Sequence, residues 1–213
     1  RFLMAGWTHI RGWGGNLVIR ELVQFPSGRI GSKWMKEITP ETDDPKTVAA
    51  KIAETTTLTT DATSFMMAFD VEPAEVKKGK FSISFLPASG EQASCELQIS
   101  IDDLRAQFGP GSLNNFAGIQ NSLREGGAPH KAYNFAIENL IDFDKPFKIR
   151  VIVKSSDKIG GSLIDAEIAG KRTMISYRPD LTVKKIAFRT ESVALKNIQI
   201  APLKKQEIQI SNF

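Results

Sequence analysis

Few residues of this chain have the types and spacing that catalysis requires. His9 and His130 are the only histidines, and neither lies in the HExxH spacing of a zinc site or near a Gly-x-Ser-x-Gly turn. A general base must lie within hydrogen-bond reach of the proton that it removes, and residues this far apart in sequence give no reason to expect such geometry. We therefore assign no catalytic residue and no metal ligand, and we expect no cofactor.

A second kind of chemistry, the binding of carbohydrate, needs exposed aromatic rings beside polar side chains. The C–H face of a sugar packs against Trp or Tyr, while nearby amides and charges hold the hydroxyl groups. Burial in the core or at an interface is the alternative for such large rings, and it is the commoner one. The carbohydrate-binding candidates are Trp7, Trp13, Asn16 and Tyr177.

Composition argues against several classes of function. Of 213 residues, 28 are Lys or Arg and 24 are Asp or Glu, which gives a net charge of +4. The lysines are scattered and lack interleaved aromatic residues, so we predict no nucleic-acid partner. No apolar run reaches the length of a membrane-spanning helix, so we expect no membrane span. The single cysteine, Cys95, excludes an internal disulfide and is predicted to lie buried in a strand.

The elements that must position these residues are β-strands. Apolar and polar residues alternate with period two, as in half-buried strands, over short runs separated by Gly, Asp and Lys turns. The clearest runs are 65–71, 79–86, 95–101, 130–137, 147–153, 162–169, 172–177, 183–189 and 195–201. This pattern predicts an all-β fold, a two-sheet antiparallel sandwich of the concanavalin or lectin-like jelly-roll type.

Two segments have other predicted structures. Pro45 follows Asp43 and Asp44, which are good helix caps, so a short helix is expected over residues 45–52. Residues 103–127 contain Gly-Pro-Gly, Asn-Asn and Gly-Gly pairs and are expected to form a loop with at most one turn of helix. A loop of this length in a compact domain is unusual and is often functional.

The N-terminal part of the chain is predicted to form a strand-hairpin unit. A strand over 17–23 leads into the turn Gln-Phe-Pro-Ser-Gly, and residues 29–35 return as its antiparallel partner. Residues 2–7 supply a further apolar strand. These three strands have no partner layer of their own, so we expect an exposed apolar patch around Leu17, Ile19, Leu22 and Trp34. The Pro-containing segment 40–45 is a candidate linker.

Short motifs near the N-terminus carry a family resemblance. They are Arg-Phe-Leu-Met-Ala-Gly-Trp at 1–7, Trp-Gly-Gly-Asn at 13–16 and Arg-Glu-Leu at 20–22. Their order resembles the close of the catalytic propeller in glycoside hydrolase family 32, the invertase, inulinase and levanase group. Gly14 stands where the family pattern has Arg, which indicates a divergent bacterial branch.

The second half of the chain resembles the same family independently. Runs 148–153, 163–175 and 193–200 are similar to the strands of its C-terminal sandwich, while residues 103–127 have no counterpart there. The resemblance implies that residues 1–40 are the remnant of the last propeller blade with a linker hairpin. Residues 41–213 are then the β-sandwich domain.

The resemblance implies an accessory function. The family's catalytic acids lie in Asn-Asp-Pro-Asn, Arg-Asp-Pro and Glu-Cys motifs, none of which occurs here. The chain is therefore expected to start mid-protein, to be inactive alone, and to support a missing N-terminal catalytic propeller that acts on fructan- or sucrose-type carbohydrate. An extracellular or periplasmic location is expected from the resemblance. The alternative is a free-standing, lectin-like carbohydrate-binding module with a sugar site of its own.

Overall fold

Every regular element that a computed structural model of the chain describes is a β-strand. It describes residues 1–7, 17–75, 78–89, 95–109, 135–137 and 145–204. The strands are β1 (Leu3–Trp7), β2 (Leu17–Gln24), β3 (Ile30–Trp34), β4 (Lys46–Ile52), β5 (Thr56–Thr59), β6 (Ser64–Pro73), β7 (Lys80–Leu86), β8 (Cys95–Ser100), β9 (Arg105–Gly109), β10 (Phe135–Ile137), β11 (Phe147–Ser156), β12 (Gly161–Ile168), β13 (Arg172–Pro179), β14 (Lys185–Glu191) and β15 (Val193–Pro202).

Two six-stranded antiparallel sheets form the sandwich. One has the order β10-β9-β8-β7-β14-β5 and the other β13-β12-β11-β6-β15-β4. Their facing side chains come from alternate positions, because successive residues of a strand point to opposite faces. In β6, Phe65, Met67, Phe69 and Val71 are all buried. The predicted all-β, two-sheet antiparallel sandwich of lectin-like type is confirmed.

The centre of the core is aromatic. The ring of Phe69 lies 6.3 Å from the rings of both Phe81 and Phe188, in edge-on geometry. Phe81 belongs to β7 and Phe188 to β14, so this cluster joins the two sheets. Burying each large apolar side chain contributes about 1.5–3 kcal/mol, and edge-on ring pairs contribute somewhat more.

The predicted helix over residues 45–52 is wrong, because this segment forms strand β4. β4 is the edge strand of its sheet and pairs with β15, from Lys46 opposite Ile200 to Ile52 opposite Leu195. The ladder to β15 gives its backbone groups hydrogen-bond partners that outweigh a weak local helix preference. Pro45 immediately precedes this edge strand, a position where a missing N–H is tolerated.

The predicted loop over residues 103–127 is wrong at its start. Residues 105–109 form β9, which pairs with β8 and buries Ala106 and Phe108 in the core. Leu104, with φ of 49°, makes the tight turn that precedes it. The rest of the predicted loop lies outside the described residues, as does most of the predicted strand over 130–137.

A three-stranded sheet, β1-β2-β3, lies against the sandwich at β12 and β13. The Ser32 N–H donates to the Lys171 carbonyl at 2.9 Å, and the hydroxyls of Ser32 and Thr173 lie 2.6 Å apart. A Cβ on Gly31 would lie 2.2 Å from the Lys171 carbonyl oxygen, so this approach requires glycine. The guanidinium of Arg172 lies 5.0 Å from the ring of Phe25, which closes the turn of the hairpin over the sandwich.

Candidate functional site

The contact between the small sheet and the sandwich is built around a buried ion pair. Arg20 and Trp34 lie opposite each other on β2 and β3 and face the sandwich. Arg20 Nη2 donates to Asp165 Oδ2 at 2.5 Å, and Trp34 Nε1 donates to Asp165 Oδ1 at 3.0 Å. All three residues are at least nine-tenths buried. Both oxygens of Asp165 therefore have a donor from the small sheet.

A second carboxylate extends this contact. The Trp34 N–H donates to Glu167 Oε1 at 2.8 Å, while Arg150 binds Glu167 Oε2 through Nε at 2.8 Å and through Nη2. The Arg150 guanidinium also lies 4.9 Å from the centre of the Trp34 ring, within the range of a cation–π contact. We call Arg20, Trp34, Arg150, Asp165 and Glu167 the seam network.

The sequence places both carboxylates on one face by simple alternation. Ile164, Ala166 and Ile168 point into the core, so the intervening Asp165 and Glu167 point outward from β12. Outer positions of a sheet are ordinarily solvated. Here the small sheet covers them, and their exposed fractions are 7% and 4%.

A glycosidase also uses a pair of carboxylates, but the carboxylates of Asp165 and Glu167 hold the small sheet against the sandwich. Each of the four carboxylate oxygens accepts at least one hydrogen bond from the protein. Both carboxylates are thus hydrogen-bonded within the protein, and Asp165 holds the small sheet through Arg20 and Trp34. Burial raises the pKa of Asp165 to about 6, against the opposing effects of Arg20 and the Trp34 indole. The network therefore fixes the small sheet in place.

The opposite face of the small sheet is apolar and exposed. Trp7 of β1 pairs with Leu17 of β2, and 68% of each side chain is accessible. Leu3 and Ala5 lie on the same face of β1, and Ile19 lies opposite Ala5. We call these five residues the apolar face.

The predicted apolar patch is therefore only partly correct. Leu17 and Ile19 belong to the apolar face, but Trp34 is buried at 6% exposure in the seam network, and Leu22 points to the same side as Trp34. The reason is the period of the strand, since 17 and 19 share one face while 20 and 22 share the other. Leu3 and Trp7, on the neighbouring strand, complete the surface instead.

The rim of the apolar face is charged. Glu21 accepts from Arg1 at 2.9 Å and from Lys33 at 3.2 Å, and Arg1 also holds Glu37 at 2.6 Å. The hydrogen bonds from Arg1 are the main cause that lowers the pKa of Glu37 to about 2. An apolar centre with a charged rim is the usual composition of a protein interface.

The predicted carbohydrate-binding residues have different positions. Trp7 is exposed on the apolar face, whereas Trp13 and Asn16 lie outside the described residues. Tyr177 is 4% exposed, and its hydroxyl donates to the carbonyls of Ile159 at 2.7 Å and Gly160 at 3.0 Å. The Tyr177 ring is therefore buried in this structure, and carbohydrate binding by these four residues stays a prediction. The outward position of Tyr177 on β13 is covered by the turn between β11 and β12.

Two clefts flank the seam network. One of about 720 Å³ is lined by Lys145, Lys148, Arg150 and Lys171 among others, and one of about 590 Å³ includes Trp34, Arg150 and Lys204 in its walls. Both are basic, and Arg150 lines both. Within the described part of the chain, no group of three or more His, Cys, Asp or Glu side chains could hold a metal ion, and no helix is long and apolar enough to cross a membrane.

The fold is thus a two-sheet antiparallel sandwich with a three-stranded sheet fixed to one outer face. No protein-family model and no curated protein matches the chain. Among solved structures it is similar to exo-inulinase from Aspergillus awamori, with a TM-score of 0.58 and 11% sequence identity over 92% of this chain and 37% of that chain. A fructosyltransferase from A. japonicus has a TM-score of 0.50 and 9% identity over 97% of this chain and 35% of that chain.

A lectin is also among the similar structures. Sheep galectin-11 aligns with 70% of this chain and 96% of its own, at a TM-score of 0.45 and 10% identity. At these identities the similarities to the inulinase and the fructosyltransferase show the fold alone. The chain spans little more than a third of the length of those two proteins.

Proposed function

We propose that this chain is the accessory β-sandwich of a larger carbohydrate-active enzyme of the glycoside hydrolase family 32 type, acting on fructan- or sucrose-type carbohydrate. In this proposal the apolar face packs against a catalytic propeller of the same polypeptide, and residues 41–213 form the supporting sandwich. The observation that carries the proposal is the apolar face itself, held rigidly from behind by the seam network.

The apolar face has the character of an interface rather than of ordinary surface. Trp7 and Leu17 are each 68% exposed, and Leu3 is 53% exposed. Contiguous exposed apolar patches are uncommon on soluble monomers and usually mark a site of association. Covering each of these side chains would contribute about 1.5–3 kcal/mol.

A domain of the same polypeptide is the best occupant for this face. The similar inulinase and fructosyltransferase chains extend well beyond the parts that match, which cover 37% and 35% of them. The family resemblance at residues 1–7 and 20–22 also falls on β1 and β2, the strands that form the apolar face. This coincidence supports a domain of the same polypeptide as the occupant of the apolar face.

The chemistry of the described carboxylates fits an accessory role. Asp165 and Glu167 are held by donors on every oxygen, so the proposal assigns catalysis to the partner domain and none to this chain. A secreted or periplasmic location belongs to the same proposal, because it rests on the same resemblance.

Reconstitution from two parts tests this function. The reading frame upstream of Arg1 is determined, its product and this chain are expressed separately, and the mixture is assayed for complex formation and for hydrolysis of inulin and levan. We expect a complex with activity, and the double variant Trp7→Ser/Leu17→Ser should weaken the complex by roughly tenfold to a hundredfold or more. Val48→Ser, at an exposed apolar position on β4, is the matched control and should not weaken it.

Two results would overturn the proposal. One is an upstream frame that contains no Asn-Asp-Pro motif and no propeller. The other is a complex whose affinity is the same with the wild-type chain and with the double variant.

A further inference from the structure

The cleft of about 590 Å³ beside the seam network is lined mainly by the connection between β3 and β4. Residues of the segment 35–42 form most of its wall, and Arg150 of β11 and Lys204 complete it. We call this cavity the linker cleft. All of its lining residues belong to the described part of the chain, and clefts of this size hold small organic ligands.

The wall of the linker cleft is held at both of its ends. The Thr39 N–H and hydroxyl both donate to the Met35 carbonyl, at 3.0 Å and 2.7 Å, which makes a turn just after β3. At the other end the Lys204 N–H donates to the Glu41 carbonyl at 3.0 Å. The cleft is therefore formed in advance, and a ligand that enters it does not have to order this wall.

The linker cleft has an excess of positive charge. Three cationic side chains line it, those of Lys36, Arg150 and Lys204, and Glu41 supplies its only carboxylate. Lys204 Nζ lies 3.7 Å from Glu41 Oε2, and 52% and 80% of these two side chains are exposed, so this ion pair is weak. Lys36 is exposed and makes no ion pair with a described residue. A cleft lined by one sign of charge attracts ligands of the other sign.

Arg150 supplies a fixed donor at this cleft. Its Nε and Nη2 bind Glu167, and its guanidinium stacks on the Trp34 ring, so its orientation is set before a ligand arrives. Nη1 makes no hydrogen bond with a described residue, and 38% of the side chain is exposed. The end of the guanidinium at Nη1 therefore keeps N–H groups for the oxygens of a carboxylate or phosphate.

The uncharged part of the lining suits a sugar. The half-buried Thr42 hydroxyl makes no hydrogen bond with a described residue, and the Thr39 hydroxyl can accept one in addition to the one that it donates. Pro40 and Trp34 add apolar surface for C–H groups. Glu41 repels a bare anion but accepts hydrogen bonds from hydroxyl groups.

We propose that the linker cleft binds a saccharide that carries an anionic group. The oxyanion contacts Arg150 and Lys36, and the sugar hydroxyls contact Thr39, Thr42 and Glu41. Sugar acids and sugar phosphates share this chemistry, whereas a neutral sugar leaves the cations unmatched and a bare anion leaves the hydroxyls and Glu41 unmatched. The apolar face lies on the other side of the small sheet, so this site is additional to the proposed accessory function.

Calorimetry on the full chain at low ionic strength tests the linker cleft. The charged probes are glucuronate, galacturonate and glucose 6-phosphate, the neutral probes are glucose and galactose, and inorganic phosphate is the bare anion. We expect saturable heat with at least one charged saccharide, with an affinity about tenfold or more above that of inorganic phosphate, and none with the neutral sugars. Added salt should weaken this binding, because it screens exposed charges.

A pair of lysine substitutions tests the location of the site. Lys36→Met/Lys204→Met removes two of the three cations and should lower the affinity for the charged saccharide about tenfold or more. Both lysines are exposed, so the double variant should fold. Lys158→Met, at an exposed lysine of the turn after β11, is the matched control and should leave the affinity unchanged.

The indole N–H signal of Trp34 gives a second readout. The chain has three tryptophans, so Trp7→Phe and Trp13→Phe assign two indole signals and leave that of Trp34. This signal should shift with the charged saccharide, because Arg150 stacks on the Trp34 ring.

Four results would overturn the proposal: no saturable heat with any charged saccharide, equal affinity for inorganic phosphate, equal affinity for the neutral sugars, or an unshifted Trp34 signal. The docking variant Trp7→Ser/Leu17→Ser should bind the charged saccharide as the wild type does. Failure of this site is thus distinguished from failure of the proposed accessory function.

Discussion

Two buried polar clusters on opposite outer faces of the sandwich differ in how their charges are balanced. One is the seam network, in which Arg20 meets Asp165 and Arg150 meets Glu167. The other lies on the outer face of β8 and β9, and we call it the polar ladder; it consists of Glu96, Gln98, Arg105 and Gln107. Among the described residues, Glu96 receives hydrogen bonds from the neutral side chains of Ser84 and Gln98, and two buried nitrogens of Arg105 have no acceptor. A cluster with matched charges stabilises one arrangement, whereas a buried charge with unused donors carries an uncompensated desolvation cost.

The energetic consequences of this difference have opposite signs. Removing one member of a closed, buried ion pair strands the other charge, which typically costs 3–5 kcal/mol. Removing a buried charge that has no partner relieves a desolvation penalty instead. The same chemical substitution should therefore destabilise one side of the molecule and not the other.

The largest effect is expected in the seam network. Arg20→Met leaves Asp165 buried, with the Trp34 indole as its remaining donor, and should lower the free energy of unfolding by about 3–5 kcal/mol. Urea denaturation followed by circular dichroism measures this change. A loss below about 1 kcal/mol would show that the seam is not closed in solution.

The titration of Asp165 gives a second test of the seam. Its folded-state pKa of about 6 lies above the ordinary value of 3.8, so the folded protein holds this proton more tightly than the unfolded chain. The contribution of Asp165 to the free energy of unfolding therefore falls as pH rises from about 4 to about 6. The decrease should total about 3 kcal/mol.

The change is isolated by comparing the wild type with Asp165→Asn, which cannot titrate at this position. The wild-type free energy of unfolding minus that of the variant should decrease across this pH range. A difference that increases with pH would mean that the positive charge of Arg20 lowers the pKa of Asp165 by more than burial raises it. Our assignment of burial as the main cause of the shift would then be wrong.

The smallest effect is expected in the polar ladder. Arg105→Met removes a buried guanidinium with unused donors, so it should leave stability unchanged or raise it by about 1–3 kcal/mol. The same urea titration measures this change, and Arg29→Met, at an exposed arginine of the hairpin turn, is the control. A loss comparable to that of Arg20→Met would remove the distinction between the two clusters.

Much of the fold follows from local alternation in the sequence. The runs 65–71 and 147–153 predict β6 and β11, and these two strands pair at the centre of one sheet. The helix over 45–52 was wrong because an edge strand depends on its partner β15 more than on its own residues. The start of the 103–127 loop was wrong because β9 is short and carries only two core residues, Ala106 and Phe108.

Sequence patterns did not predict either of the two clusters. Asp165 lies 145 residues from Arg20 and 131 from Trp34, and no local signal connects them. In the run 95–101, alternation correctly places Glu96 and Gln98 on the outer face of a strand, but it predicts that they are solvated. Their burial depends on what covers the sheet, which periodicity does not report.

The contrast between the two clusters is tested most directly by comparing the free energies of unfolding of Arg20→Met, Arg105→Met and wild type, measured side by side by urea denaturation. We predict a loss of about 3–5 kcal/mol for Arg20→Met and no loss for Arg105→Met. Equal losses in the two variants, or a loss in Arg105→Met alone, would contradict the account.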